Sequence, residues 1–399
     1  MKNAVIIDAV RSPMAKGKLP KDGKPGGALS SLHPVELLGQ TIKALFARND
    51  VDPAEVDDVI MGCVSQVSEQ AGPVGRWAWL GAGLPEHVPS TTIDRRCGSS
   101  QQAADFAAMG VMTGTYDIVV AGGVESMSRV PMFSARQGKD PAGPSVGERY
   151  APGLVPQGIS AELIAARYGI SRHELDVFSA RSQAAAAAAD FANEIVAVEV
   201  PGGNGSPSVV DRDETIRPST TVEGLAELKP VFQTEEMSER FPEITWSITA
   251  GNSSQISDGA SALLIMSEER ANALGVRPRA RFHAFAVASD DPITMLTGPI
   301  PATQKLLDRT GMSIDDFDHI EVNEAFAPVP LAWRNHFGAD LERINPRGGA
   351  IALGHPLGAS GGRLMASMLN GLEETGGRWG LQTMCEAGGM ANATIIERI

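Results

Sequence analysis

Thr91 to Ala103 reads TTIDRRCGSSQQA, and in it Cys97 stands where a β-branched run gives way to a helix-like stretch opened by Gly98, Ser99 and Ser100. A cysteine at a helix N-terminus meets unpaired N–H groups and the positive end of the helix dipole, which favour thiolate over thiol. Its small neighbours let a substrate carbonyl reach the backbone, whose N–H groups can stabilise an oxyanion. The plain alternative is a buried, inert cysteine.

Three further stretches have residue types suited to chemistry. Asn345 to Gly362, NPRGGAIALGHPLGASGG, is glycine-rich around a helix start and allows close backbone approach to a ligand. His355 and Pro356 stand where a phosphate-binding loop needs Lys and Ser or Thr. That leaves His355, held between Gly354 and Pro356, as the group of interest, against the plain reading of a satisfied surface or core histidine. Cys385 to Ile395, CEAGGMANATI, puts a second cysteine at a strand end before a glycine turn. Val322 to Ala327, VNEAFA, puts Asn323 and Glu324 at another strand end, where open α/β sheets form their sites; Asn323 as a simple helix cap is the alternative.

The elements that must position these residues alternate between strand and helix. AVIIDAV (Ala4–Val10), PVELLGQTIKALFA (Pro34–Ala47) and VDDVIMGCV (Val56–Val64) point to a parallel α/β sheet. The order then repeats: DPAEVDDVIMG (Asp52–Gly62) matches SIDDFDHIEVN (Ser313–Asn323), and DIVVAGGVES (Asp117–Ser126) matches GLQTMCEAGG (Gly380–Gly389) more loosely. A duplicated half is therefore expected. About 124–250 departs from the pattern and reads as an insertion lying over one half, with Ser171 and Glu174 forming a capping box ahead of an alanine-rich helix.

With 399 residues, 43% hydrophobic and 21% charged, the chain has material for two domains and a large core. A net charge of −14 disfavours nucleic acid or an anionic membrane as partner, though a local basic patch could take an anionic small molecule. The three cysteines, Cys63, Cys97 and Cys385, form no C-x-x-C pair, so neither a disulfide framework nor a zinc site is expected, and a reducing cytoplasm fits. No basic leader precedes Ala4–Val10 and no run approaches membrane-spanning length, so neither targeting nor anchoring is expected.

Taken in order, C-G-S at Cys97–Ser99, N-E-A-F at Asn323–Phe326, G-H-P-x-G-x-S-G at Gly354–Gly361 and a C-x-G-G-G-like turn at Cys385–Gly389 resemble the landmarks of the thiolase family, along essentially the whole chain. That family comprises acetyl-CoA acetyltransferases and 3-ketoacyl-CoA thiolases. The resemblance implies the thiolase fold, two similar α/β halves stacked as a five-layer αβαβα core with an inserted loop domain. It divides the chain into an N-terminal domain at 1–270, including the insertion, and a C-terminal domain at 275–399.

It also implies thiolysis. His355 would activate Cys97, which becomes acylated; His355 and a water held by Asn323 would stabilise the departing enolate of acetyl-CoA, and Cys385 would protonate it. The N–H groups of Cys97 and Ala387 would form the oxyanion site for the acyl-enzyme. Arg217 would meet the nucleotide part of CoA and Ser254 the pantetheine, with Met295 and Phe326 lining the acyl end. CoA enters as co-substrate with no permanently bound cofactor or metal, and a homodimer or homotetramer is expected.

Three departures from the family pattern bear on this. Asp94, followed by Arg95 and Arg96, replaces a usual asparagine; Ala387 replaces a glycine; and Pro156-Gln157 stand where short-chain condensing members have His-Met. The stretch AGLPEHVPSTTIDRRCGSSQQA resembles degradative actinobacterial members. Degradative thiolysis is the leading expectation. Acetoacetyl-CoA synthesis on the same fold and a non-catalytic acyl-CoA or lipid binder are the alternatives, the last disfavoured because a binder needs neither the two cysteines nor His355 and Asn323.

Overall fold

The computed structural model describes residues 2–22, 24, 26–202 and 206–399. The N-terminal half contains β1 (Ala4–Arg11), α1 (Pro34–Ala47), β2 (Asp58–Gly62), α2 (Val74–Gly81), β3 (Ser90–Ile93), α3 (Ser99–Thr113) and β4 (Ile118–Ser126). An insertion follows that includes α4 (Gln157–Arg167) and α5 (Arg172–Ala188), and β5 (Ser257–Ser267) returns the chain to the sheet. The C-terminal half has β6 (Ala280–Ser289), α6 (Pro299–Thr310), β7 (His319–Val322), α7 (Pro328–Phe337), α8 (Ser360–Thr375), β8 (Trp379–Glu386) and β9 (Met390–Arg398).

The strands lie in the order β7-β8-β9-β6-β1-β5-β4-β2-β3, with Ala15–Lys16 paired on β5. In the N-terminal half β2 runs parallel to β3 and β4, and β5 runs antiparallel to β4 and β1. The C-terminal half copies this: β7 is parallel to β8 and bridged in parallel by Ile344, while β9 is antiparallel to β8 and β6. The halves join where Val5 pairs with Arg281 and Ile6 with Ala280, so the two β layers are arms of one folded sheet. Helices α3 and α8 pack against each other and against both arms, α1 and α2 cover the outer N-terminal face, and α6 and α7 cover the outer C-terminal face. This is the expected αβαβα layering.

The core explains why the strands read as unbroken apolar runs. Along β1, Val5 and Ile7 face the outer cluster with Leu38 and Ile42 of α1, while Ala4, Ile6 and Ala9 face the inner cluster with Ala107, Met365 and Leu369. A strand covered on both faces has no polar side to alternate with. Helix α3 is sandwiched too, and its alanines at 103, 104, 107 and 108 are all buried. A helix enclosed in this way loses the one-sided stripe of a surface helix.

The duplication is sharper than the sequence suggests. Asp57 accepts the N–H groups of Asp117 and Ile118, and Asp318 accepts those of Arg378 and Trp379. The interval from Asp57 to Asp318 also takes Gly62 to Asn323, Ser99 to Ser360 and Glu125 to Glu386. The first predicted match, Asp52–Gly62 with Ser313–Asn323, has this register. The second is corrected by two residues: Asp117–Ser126 corresponds to Arg378–Ala387, because the hydrogen bonds of the two aspartates fix where each strand begins.

The insertion packs on the C-terminal half, α4 against α7 and α5 against the short helix Ala350–Leu353. It is tied to β1 by Arg11, whose fully buried guanidinium meets Glu194 Oε1 at 2.7 Å and both oxygens of Asp213 at 2.7 and 2.9 Å. Removing one partner of a buried pair strands the other charge, at a cost of about 3–5 kcal/mol. Arg11→Ala should therefore lower the free energy of urea unfolding by an amount of that order and the midpoint with it, measured by circular dichroism; an unchanged midpoint would show that the clamp is not needed.

Candidate active site

Between β3 and α3 the chain is held by side chains from its own sequence. Asp94 Oδ1 accepts the N–H of Arg96 at 2.7 Å, while Ser99 Oγ accepts the N–H of Arg95 at 2.9 Å and donates to the C=O of Arg96 at 2.6 Å. These bonds keep Arg96 at φ 48, a left-handed conformation uncommon outside glycine. They set Cys97 one residue ahead of Gly98, the N-cap of α3. Asp94 also pairs with Arg96 Nη1 at 3.4 Å, which accounts for the acid and arginine found here together.

His355 is fixed from both sides. Gly354 has φ 92, and a Cβ there would strike Ser257 Oγ. The N–H of His355 is shared by the C=O of Gln255 at 3.0 Å and Ser257 Oγ at 3.2 Å. Its Nδ1 lies 2.6 Å from Ser360 Oγ, whose own hydrogen goes to the C=O of Pro356 at 2.9 Å. With that hydroxyl proton committed, Nδ1 must carry hydrogen and donate, leaving the lone pair on Nε2. Asn323 Nδ2 faces that lone pair from 3.5 Å.

Asn323 stands just beyond β7, its N–H on the C=O of Thr383 at 3.1 Å, and its amide also reaches the Cys385 sulfur. Its buried Oδ1 has no protein partner among the described residues. Glu324 pins this loop: its carboxyl accepts from Ser182 Oγ at 2.7 Å, Asn345 Nδ2 at 2.9 Å and the N–H of Ile351 at 3.1 Å. The N-E-A-F and N-P-R-G-G stretches, far apart in sequence, are thus one hydrogen-bonded unit.

Electrostatics overturn one expectation. Burial pushes the Cys97 thiol up to about 12, and the nearby Glu386 adds to the shift, so the helix N-terminus does not yield a standing thiolate. Cys385 is pushed well above its ordinary value, by burial first and then by the charge Cys97 would carry. His355 is lowered to about 3 by burial and by Arg363. At neutral pH the site holds two thiols and a neutral imidazole, and a proton has to move as the nucleophile attacks.

The other expected residues fall into two groups. Met295, Phe326 and Cys385 belong to one apolar cluster with Ile164, Phe178 and Ile351. Phe232 meets Phe326 edge-on at 6.0 Å and lies against Gly158. Next to Gly158 are half-buried Gln157 and exposed Pro156, the N-cap of α4. Ser254 donates its N–H to the C=O of Ala325 at 3.0 Å. Arg217 is exposed, outside this cluster, with Nη2 3.3 Å from Gln255 Oε1; Gln255 is the residue whose C=O holds His355. Past Cys385 the left-handed backbone falls on Gly388 (φ 93) and Gly389 (φ 86), so Ala387 is spared it.

Ser360, Glu324 and Glu386 escaped assignment from sequence. Ser360 lies within the G-H-P-x-G-x-S-G stretch and Glu324 within N-E-A-F, so their signal was present. Glu386 directly follows Cys385, is fully buried, and its Oε1 lies so close to Gly98 that a side chain at 98 would collide with it. With the Asn392 amide oriented so that both its ends are satisfied, Nδ2 donates to Glu386 Oε1 at 2.7 Å. Burial raises the Glu386 carboxyl to about 9, so it stays protonated at neutral pH. Nothing in the sequence separates it from an ordinary strand-end glutamate.

Two outcomes follow from this geometry. Ser360→Ala removes the acceptor that fixes the His355 tautomer and should slow acylation of Cys97 about tenfold, the worth of one hydrogen bond, as timed by intact-mass spectrometry; an unchanged rate would mean the tautomer is set elsewhere. A carboxyl raised from 4.5 to about 9 on folding makes its stability contribution below 4.5 and loses it as pH rises through about 9. In Glu386→Gln the decline of melting temperature between those values should accordingly be shallower than in the parent chain, and equal slopes would show that Glu386 ionises normally.

The comparisons with known proteins agree with this geometry. The family profile described as Thiolase, N-terminal domain, matches residues 4–269, and Thiolase, C-terminal domain, matches residues 276–398. Steroid 3-ketoacyl-CoA thiolase FadA6 of Mycobacterium tuberculosis is 46% identical, the match covering 100% of this chain and 95% of that protein. A 3-ketoacyl-CoA thiolase of Vibrio vulnificus is 45% identical over the full length of both. Among solved structures, the acetyl-CoA acetyltransferase of Bacillus anthracis superposes with a TM-score of 0.88 at 35% identity, covering 100% of this chain and 99% of that one. Two domain matches that together span nearly all of the chain, full-length relatives well above 40% identity and a shared fold establish that the chain belongs to the thiolase family.

Proposed function

We propose that this enzyme carries out CoA-dependent thiolysis of 3-ketoacyl-CoA, releasing acetyl-CoA and an acyl-CoA two carbons shorter. The observation that carries this is a buried neutral imidazole whose unprotonated Nε2 faces Asn323, the residue that also reaches the Cys385 sulfur, with Cys97 near enough to Cys385 to raise its thiol. His355 Nε2 takes the Cys97 proton as the sulfur attacks the C3 carbonyl. The C2–C3 bond breaks, its electron pair leaves on C2 as the enolate of acetyl-CoA, and the acyl group stays on Cys97 as a thioester. The enolate oxygen is met by His355 and by a water on Asn323, whose Oδ1 has no protein partner among the described residues. Cys385 supplies the proton to C2; CoA then gives its thiol proton to Cys385 and takes the acyl group from Cys97, whose sulfur recovers its proton from His355.

In this reading the N–H groups of Cys97 and Ala387 hold the oxyanion of the acyl-transfer step, a role that the backbone of Ala387 allows. CoA, the co-substrate, lies along Ser254 with its nucleotide part toward Arg217, and the acyl group enters the cluster of Met295 and Phe326. The chain acts as an N-terminal domain at 1–270 and a C-terminal domain at 275–399. It works in the cytoplasm as a homodimer or homotetramer, consistent with an edge strand β3 and with Phe106 and Met109 exposed on α3. No described helix is long and apolar enough to cross a membrane.

Breakdown of substrates longer or bulkier than acetoacetyl-CoA is favoured over acetoacetyl-CoA synthesis, because Pro156 and Gln157 sit beside the Gly158–Phe232–Phe326 wall of the acyl cluster. Cys97→Ser should abolish turnover, and Cys385→Ala should still accept an acyl group on Cys97 yet neither cleave nor form carbon–carbon bonds, as read by peptide mapping and product analysis. Across a panel of 3-ketoacyl-CoAs, kcat/KM should rise about 10- to 100-fold beyond acetoacetyl-CoA, the reach of one or two buried methylenes. A preference for acetoacetyl-CoA over every longer substrate would replace this reading with the biosynthetic one.

A further inference from the structure

Glu125, near the end of β4, is fully buried and accepts four hydrogen bonds. Its Oε1 takes the N–H of Ser65 at 3.0 Å and Gln70 Nε2 at 2.9 Å; its Oε2 takes the N–H of Val64 at 3.0 Å and that of Gly358 at 2.9 Å. The last bond crosses between the halves. Gly358 lies three residues after His355, in the turn that delivers the imidazole and leads into α8. We propose that Glu125 is a positioning residue for His355: from the N-terminal half it fixes the turn of the C-terminal half that aims the Nε2 lone pair at Cys97.

Contacts around the bond leave this turn little freedom. A Cβ on Gly358 would meet the C=O of Val124 at 2.6 Å and Cys63 Cα at 2.8 Å, and one on Gly123 would run into the C=O of Gly358. The turn is therefore pressed backbone to backbone against the ends of β2 and β4, with Glu125 as the polar anchor. The duplication gives a second, independent observation. The interval that relates the halves takes Glu125 to Glu386 and Gly358 to Cys97. Glu386 abuts Gly98, so each half's strand-end carboxyl reaches the turn before the central helix of the other half. Burial raises the Glu125 carboxyl and its four donors oppose that rise.

Because each oxygen accepts two N–H groups, an amide cannot replace the carboxylate: its own N–H hydrogens would face two donors. Glu125→Gln is nearly isosteric yet breaks the anchor. The inference rests on His355 acting as the base of the thiolysis reading. A double-mutant cycle tests it, with alkylation of Cys97 by iodoacetamide at pH 8 as the readout, since that reaction also proceeds slowly without a neighbouring base. Glu125→Gln should slow alkylation about tenfold in the parent chain and less than twofold in a His355→Ala background. A purely structural role would slow both alike, and equal loss in the two backgrounds, or no loss in either, overturns the proposal. Should Glu125→Gln fail to fold, Gln70→Leu removes one donor to Oε1 and should show the same pattern at about threefold. Thiolysis and acyl-Cys97 formation by the parent chain are scored separately: their absence overturns the functional reading together with this inference, whereas their presence with equal losses overturns the inference alone.

Discussion

Withdrawal of the reaction centre from water governs the rest of this structure. Cys97, Cys385 and His355 are each almost fully buried, and burial is the first cause of the protonation state of all three. A site built this way keeps no charge in reserve. Its reactivity depends on where one lone pair points and on how short the proton's path is, so the protein's task becomes one of aim. That is why several groups hold His355 in place: Ser360 on Nδ1 and Gln255 and Ser257 on its backbone, with Asn323 across from Nε2.

The folded sheet supplies the rigidity this demands. Helices α3 and α8 lie between its arms with small residues where they approach their neighbours, and each begins at a catalytic turn. A Cβ on Gly361 would meet Gln101 of α3, and one on Gly362 would meet Ser261 of β5. Close packing of this kind resists small displacements, since interiors lack the spare volume to absorb them. The same reasoning explains the buried carboxyls at strand ends. Each costs desolvation, and each is kept where a backbone turn has to be fixed at a point no apolar side chain could grip.

Much of this was legible in the sequence because its causes are local. The Cys97 turn, His355 between Gly354 and Pro356, and Asn323 beyond β7 depend on residues within a few positions, and four short motifs in one order are hard to meet by chance. The duplication was visible through Asp57 and Asp318, each marking where a strand begins. What stayed hidden depends on neighbours distant in the chain. Glu386 against Gly98 joins β8 to α3, and Glu125 on Gly358 joins β4 to the turn before α8. The protonation of Cys97 was misread for the same reason: the dipole of α3 is local, whereas the burial that outweighs it comes from residues of the other half, Leu357, Leu364 and Met384. Arg217, assigned by likeness alone, is exposed and lies outside the cluster that holds Met295, Phe326 and Cys385.

The two halves descend from one pattern, yet they meet through reciprocal contacts that leave neither independent. A side chain at Gly98 would have to displace the glutamate at the end of β8, and one at Gly123 would run into a carbonyl of the turn before α8. Substitution in one repeat is therefore constrained by a residue of the other that lies hundreds of positions away in the gene. Duplicated segments ordinarily drift apart at their own pace. Here the cross-gripping ties their histories together, so that the halves must change as a matched pair or keep their backbones still while only the reactive side chains diverge, cysteine at one turn and histidine at the other.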